Sequence, residues 1–211
     1  MLERSLIGGA VVMFVAFFCW AYGSSPINLR ERIFPKNLAE VESGWLYRSG
    51  QIRPNLIEGT LRDLDIDVIV DLTEDLGLRD ESQIAEKRVA EQLGIEVRRF
   101  PLNGSGMGKI DRYVGAIAEI ARAEREGRRV LVHCRAGDRR TGGVIAAYQV
   151  LVKGEPVGEV REELERFSGW GGGGERLKRF LGDHLEEIAQ GLLDAGVIVR
   201  LPDPMPTFAS L

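Results

Sequence analysis

The stretch VLVHCRAGDRRTG, residues 130–142, decides the fold. It starts with an apolar run typical of a buried strand, and a helix is predicted to begin around Arg140 or Thr141. Between them lies a short polar loop in which a Cys stands beside a His. A strand, a tight loop and a helix in this order are the repeating unit of parallel α/β sheets. The stretch therefore predicts that Cys134 lies at the carboxyl end of a strand, where such sheets bind their ligands.

The chain on both sides of this stretch alternates between strand and helix signals. Strands are predicted within 44–50, 67–72, 95–100 and 128–133, and helices from Pro54 to near Leu64, over 81–94 and over 110–126. Later signals are helical, at 141–153, 156–167 and about 175–190. This spacing predicts an α/β fold with a mostly parallel sheet, helices on both faces and a helical C-terminal part.

The loop after the predicted strand has the composition of an anion site. Gly137 permits a sharp backbone path, and loop N–H groups that turn inward form a nest for an anion. The positive end of the following helix dipole points at the same place, and Arg140 offers a planar fork of donors. Helix N-termini and cationic neighbours also lower the pKa of a thiol, so the sequence predicts that Cys134 is a thiolate.

The spacing Cys134, five residues, Arg140, Thr141, with His133 in front, resembles the signature of the cysteine-dependent protein tyrosine phosphatase superfamily. The segment LYRSGQIRP, residues 46–54, is similar to one in bacterial dual-specificity-like phosphatases that commonly reads YRS-x-Q-x-x-P. The resemblance is to the dual-specificity-like branch, and it extends over roughly residues 44–185.

This resemblance implies a two-step phosphoryl transfer. Cys134 would be the nucleophile, Arg140 would hold the phosphate oxygens, and Thr141 would stabilise the thiolate. The backbone N–H groups of the loop would bind the phosphate, and these belong to Arg135, Ala136, Gly137, Asp138, Arg139 and Arg140. His133 would position the backbone around the Cys rather than act as a base. The resemblance implies no cofactor and no metal.

The acid that protonates the leaving oxygen is the least certain member of the site. The resemblance implies an Asp about 30 residues before the Cys, but Asn103 occupies the approximate place and cannot act as an acid. Asp138 and Asp111 are equally favoured candidates, and each has a structural alternative: an ion pair for Asp138 and a helix first turn for Asp111. Less favoured acids follow a strand at the same rim: Asp71, Glu74 and Asp75. An acidic leaving group would need no acid at all.

The N-terminus differs from the rest of the chain, because residues 5–22 carry no charge. Three interpretations compete: a single-pass membrane anchor, a cleaved signal peptide that leads to secretion, and a buried helix. We favour the anchor, with the side of the membrane undetermined. The predicted division is therefore an anchor or signal segment at 1–23, a juxtamembrane linker at 24–43, a phosphatase-like domain at 44–190 and a Pro-rich tail at 191–211.

Composition limits the partners. A formal net charge of -4 leaves no broad basic excess, which argues against a nucleic-acid binder. The chain has two cysteines and no spacing typical of a metal site. The predicted substrate is a phosphorylated protein, most simply phosphotyrosine with dual specificity open. A phosphoinositide or inositol phosphate is the alternative, motivated by the membrane segment and the loop arginines, and an inactive phosphate-binding module is a third hypothesis. The oligomeric state is not predicted.

Overall fold

The computed structural model describes residues 34–167 and 173–208. Five strands form one sheet, and their bounds are β1 Ala39–Glu42, β2 Leu46–Gly50, β3 Val68–Asp71, β4 Glu96–Arg99 and β5 Val130–Cys134. The described helices are α1 Ile57–Asp63, α2 Glu81–Leu93, α3 Ile110–Arg125, α4 Arg139–Tyr148, α5 Val157–Phe167 and α6 Gly173–Asp194. A π-helical turn, Gln149–Lys153, continues α4, and Gly154 ends it with a φ of 73°.

The sheet is mixed, with the order β1-β2-β5-β3-β4. All neighbours are parallel except β1, which pairs antiparallel with β2 at the edge. The central strands end level with one another, because Gly50 pairs with Cys134 and Asp71 pairs with His133. Their carboxyl ends therefore meet at one edge, and the loops that follow them share a rim.

The central strands are buried on both faces, which explains their continuous apolar runs. Alternate residues of these strands contact two separate cores. One core contains Val68, Val70, Val130 and Val132, and the other contains Ile69 and Leu131. The larger core lies under α3, α4, α5 and α6, and the smaller one under α1 and α2. The predicted α/β fold, with helices on both faces and a helical C-terminal part, is confirmed.

Two folded segments were not expected from the sequence. Residues 39–42, within the predicted linker, form β1. Near the other end, Phe208 is 1% exposed, and Leu201 and Met205 also pack on the larger core. Both segments are short and polar or Pro-rich, so their own patterns are weak. They are ordered by pairing and packing with distant residues.

The predicted membrane localisation is corrected. In the described part of the chain, no helix combines the length and the apolar character needed to cross a bilayer. Residues 5–22, on which the prediction was based, lie outside the described residues. An apolar run of about 18 residues is at the lower limit for a span, and such a run by itself was weak support.

Candidate active site

The loop between β5 and α4 lies at the carboxyl rim of the sheet. Cys134 is the last residue of β5, and α4 begins at Arg139. Gly137 has a φ of +68°, in the left-handed region that glycine adopts without strain. A Cβ at this position would lie 2.4 Å from the backbone nitrogen of Gly50, so the end of β2 passes directly against the loop.

Three successive carbonyls of the loop are bound from the segment around β2. The Gln51 N–H donates to the Arg135 carbonyl at 3.3 Å. Asn37 Nδ2 donates to the Ala136 carbonyl at 2.8 Å, and Arg48 Nη2 donates to the Gly137 carbonyl at 3.0 Å. These three carbonyls therefore face β2 and the segment before β1. The Gly137 N–H instead donates to Cys134 Sγ at 3.3 Å. A loop N–H group directed at the sulfur is the arrangement expected of an anion nest.

Arg48 is a buried cation beneath the loop. Its side chain is 1% exposed, its guanidinium lies 3.7 Å from the ring centroid of Phe167, and Nη1 is 3.6 Å from Glu163 Oε1. Burial lowers the pKa of Arg48, while the charges of Glu163 and Cys134 oppose that shift. The side chain therefore joins the loop to α5 through one charge, one hydrogen bond and one aromatic contact.

Cys134 is 2% exposed, and its surroundings favour the thiolate. Burial raises the pKa of the thiol. The neighbouring side chain and backbone of Thr141, together with the charge of Arg140, outweigh burial and bring the pKa below its ordinary value. These interactions also suit a phosphate, which needs donors and positive charge at the same place.

A cavity of about 260 Å³ opens beside the loop. Arg135 and Arg140 line it from the loop side, and Arg140 Nη1 donates to the Leu72 carbonyl at 3.4 Å. The opposite walls come from the segment after β3, the start of α2 and the segment after β4; these lining residues include Thr73, Glu74, Leu76, Asp80, Gln83, Leu102 and Gly104. Arg139 is exposed on the first turn of α4.

The segment 101–108 is fixed against this site. Tyr113 Oη donates to the Gly106 carbonyl at 2.6 Å, and Tyr113 is fully buried. A Cβ on Gly106 would lie 2.9 Å from the Arg139 carbonyl oxygen, which means that the segment contacts the start of α4. Asn103, the residue at the approximate place of the expected acid, accepts a hydrogen bond from the Ser105 N–H at 3.1 Å.

The two predicted acids lie in different settings. The Asp111 side chain is 66% exposed and lies 3.8 Å from Arg112 Nε, and it is not among the described residues that line the cavity. Asp138 is half-buried at the N-cap of α4, without a side-chain cap bond, and its charge acts on Arg48. Neither residue is brought to the cavity wall, whereas Glu74 is.

His133 lies among carboxylates. Its Nε2 is 2.9 Å from Glu86 Oε2 and 3.8 Å from Asp71 Oδ1, and all three side chains are buried. Burial lowers the pKa of His133, but the charges of Glu86 and Asp71 dominate and raise it to about 10. The imidazole is therefore a buried cation beside Cys134. The positioning role that the resemblance implies for His133 stays a prediction.

The ligand atoms of Asp71, Glu86 and His133 lie within 4.8 Å of one another, a spacing that a metal ion could use. Their contacts fit a charge-balanced network better. Asp71 accepts from the Thr73 N–H at 2.8 Å and from Arg99 Nε at 2.8 Å. Two carboxylates thus face two cations, Arg99 and the His133 imidazolium, and the donor set already has its counter-charges.

Comparisons with known proteins agree with this geometry. The family model described as "Polymorphic toxin system, DSP-PTPase phosphatase" matches residues 46–155, just over half of the chain. The chain belongs to this phosphatase family. No curated protein sequence matches it.

Solved structures share the fold of this phosphatase. TpbA from P. aeruginosa is 22% identical with a TM-score of 0.57, and the match covers 74% of this chain and 91% of that one. The catalytic core of the PP-IP phosphatase SIW14 from S. cerevisiae is 18% identical with a TM-score of 0.58, covering 78% and 95%. PTPMT1 is 18% identical with a TM-score of 0.56, covering 72% and 96%.

Three supporting residues of the phosphatase site escaped the sequence reasoning. Arg48 stands inside the segment that carried the resemblance, but nothing in the sequence indicates that it reaches the Gly137 carbonyl. Asn37 and Glu86 gave no signal, since their contacts depend on how β1, α2 and β5 pack together.

We predict that Glu86→Gln raises the pKa of the Cys134 thiol. Without the carboxylate, the pKa of His133 falls from about 10, and the ring carries less positive charge beside the thiolate. The rate of alkylation of Cys134 by iodoacetamide, measured against pH, should shift upward by about one unit, and the acid limb of kcat/KM should follow. Glu91→Gln, an exposed site on the same helix, is the matched control. Equal profiles for the two variants would contradict the prediction.

The same pair affects stability. His133 binds its proton more tightly in the folded protein than in the unfolded chain. The protonated His133 therefore adds its full contribution to the free energy of unfolding below the unfolded pKa of 6.5. That contribution is lost as the pH rises toward about 10.

Proposed function

We propose that this phosphatase hydrolyses phosphotyrosine in proteins, with phosphoserine and phosphothreonine as slower substrates. Cys134 is the proposed nucleophile, and Arg140 with the N–H groups of residues 135–140 binds the phosphate oxygens. Thr141 is proposed to stabilise the thiolate before attack and again as it leaves. The lowered pKa of Cys134 and the outward carbonyls of the loop support these roles.

The proposed reaction has two steps. The Cys134 sulfur attacks phosphorus, an S–P bond forms, and the P–O bond to the tyrosine oxygen breaks. Water then attacks the same phosphorus, the S–P bond breaks, and the thiolate and inorganic phosphate are released. Arg140 and the loop N–H groups stabilise the oxygens in both transition states, because their charge is fixed in place before the reaction.

The charges that line the cavity support phosphotyrosine as the substrate. The lining holds two arginines, Arg135 and Arg140, and two acidic side chains, Glu74 and Asp80, so it has no excess of positive charge. Leu76 and Leu102 add apolar surface that suits an aromatic ring. An inositol polyphosphate would place further phosphates beside these two acidic side chains, where the described lining offers no arginine other than Arg135 and Arg140.

Two proteins with this fold represent the two substrate classes. A TpbA variant was solved in complex with pTyr, and SIW14 is a PP-IP phosphatase. The likeness is one of fold alone and does not choose between them. The proposal for this chain therefore depends on its own cavity, where Arg135 is the residue that distinguishes a phosphotyrosine substrate from an inositol phosphate.

The test is phosphate release by the full chain from a phosphotyrosyl peptide, its phosphoseryl analogue and inositol hexakisphosphate. We expect kcat/KM to be highest for the phosphotyrosyl peptide. Arg135 is 69% exposed at the rim, so Arg135→Ala should lower that value by less than about fivefold, as expected for a solvent-screened charge. Arg62→Ala, an exposed ion-paired arginine on α1, is the control. Preference for inositol hexakisphosphate, with a loss above tenfold in Arg135→Ala, would replace the proposal by the alternative.

A further inference from the structure

Breaking the bond to a tyrosine oxygen requires a proton, since a phenolate is a poor leaving group with a pKa near 10. The segment 101–108 supplies no acid in this chain. Its Asn103 is an amide, and the Oδ1 atom already accepts from the Ser105 backbone. An acid for this reaction must come from another carboxyl group at the cavity.

Two carboxyl groups line the cavity among the described residues, and one of them is committed to structure. Asp80 is the N-cap of α2. Its Oδ1 accepts from the backbone N–H groups of Ser82 and Gln83 and from Gln51 Nε2, at 3.0 to 3.1 Å. These bonds cap the helix and hold the carboxyl group in place. Asp80 is therefore committed to structure and not favoured as the acid.

Glu74 is the other carboxyl group, and its side chain is uncommitted. It is exposed and makes no hydrogen bond or ion pair with any residue that the structure describes. Its backbone is fixed, because the Glu74 carbonyl accepts from Gln83 Nε2 at 2.8 Å. A free carboxyl on a fixed backbone can reach into the cavity without losing any contact.

The position of Glu74 relative to Arg140 also suits the role. Arg140 contacts the Leu72 carbonyl, two residues before Glu74, so the phosphate-binding arginine and this carboxyl border the same cavity.

We propose that Glu74 is the general acid of this site, an inference that rests on the proposed phosphatase function. In the first step the Glu74 carboxyl gives its proton to the tyrosine oxygen while the S–P bond forms and the P–O bond breaks. In the second step the Glu74 carboxylate takes a proton from the attacking water while the S–P bond breaks. Each turnover returns the carboxyl to its protonated state.

The test compares Glu74→Gln with Asp75→Asn on two substrates. Asp75 is the neighbouring residue and loses the same charge, but it pairs with Arg99 at 3.2 Å instead of lining the cavity. Phenyl phosphate needs protonation of its leaving group, whereas p-nitrophenyl phosphate has a more acidic leaving group and needs little.

We expect Glu74→Gln to lower kcat about 100-fold on phenyl phosphate and less than about fivefold on p-nitrophenyl phosphate. The basic limb of its pH profile should disappear, and Asp75→Asn should stay within about twofold of the wild type on both substrates. Equal losses of Glu74→Gln on both substrates, or a leaving-group-dependent loss in Asp111→Asn or Asp138→Asn instead, would overturn the assignment of Glu74 alone. A wild type that turns over neither substrate would overturn the proposed function, and this assignment with it.

Discussion

Replacing Cys134 by Ser is expected to lower kcat on a phosphotyrosyl peptide by roughly 10⁴-fold or more, as for other covalent nucleophiles. A serine hydroxyl is not ionised near neutral pH, whereas the neighbouring Thr141 and the Arg140 charge lower the pKa of the Cys134 thiol. The loop donors remain, so the variant should still bind the peptide with a Kd within a few-fold of the wild-type KM. Phosphate release and peptide binding, measured separately, check both parts.

Cys19 offers the matched control, because it is the other cysteine of the chain. Cys19→Ser should leave kcat unchanged, and iodoacetamide should inactivate it as it inactivates the wild type. Turnover by Cys134→Ser near the wild-type rate would refute the nucleophile. Loss of both turnover and peptide binding would instead indicate that the loop had lost its shape.

Gly137→Ala is expected to cost both activity and stability. The left-handed φ of +68° disfavours alanine by about 1–2 kcal/mol, and the new Cβ would overlap the Gly50 backbone at 2.4 Å. Backbone atoms cannot rotate away, so the loop must move and its N–H groups are no longer directed at the phosphate. Since one misplaced donor costs about 10² to 10³ in rate, we expect a fall in kcat/KM of about 10³-fold.

Gly154→Ala separates the clash from the backbone strain. Gly154 has a φ of +73°, but nothing lies within 4 Å of its would-be Cβ. Urea unfolding should give a similar strain cost for both variants and an additional loss of about 1–3 kcal/mol for Gly137→Ala. Equal kcat/KM for the two variants would contradict the close approach of β2 to the loop.

The sequence predicted the parts of this fold that depend on local pattern. The apolar runs predicted β3 and β5, and the helix predicted over 81–94 corresponds to α2, which Gly94 ends with a φ of 72°. Four residues containing two acids, 39–42, gave no usable signal for β1, because an edge strand is defined by its partner. The membrane localisation failed for a related reason: one apolar run was interpreted without any tertiary context.

The candidate site likewise contains residues that the sequence predicted and residues that only the packing of distant segments reveals. The loop residues from His133 to Thr141 were named from the family resemblance that their spacing carries, and their roles stay predictions until tested. The residues that hold the loop in shape come from elsewhere in the chain, as Arg48 does from β2 and Glu86 from α2. The acid differs again: Asp111 and Asp138 were chosen from their positions relative to the family pattern, whereas the cavity wall is formed by proximity in space and includes Glu74.

The bonds from Asn37 to Ala136 and from Arg48 to Gly137 join residues 99 and 89 positions apart. During synthesis, the loop after β5 therefore leaves the ribosome long after the residues that hold it, and a chain that ends before residue 136 can make neither bond. During unfolding, separation of β2 and the segment before β1 from this loop removes both bonds at once. Catalysis in this enzyme should therefore report the integrity of the whole sheet, with activity and tertiary structure lost at the same denaturant concentration.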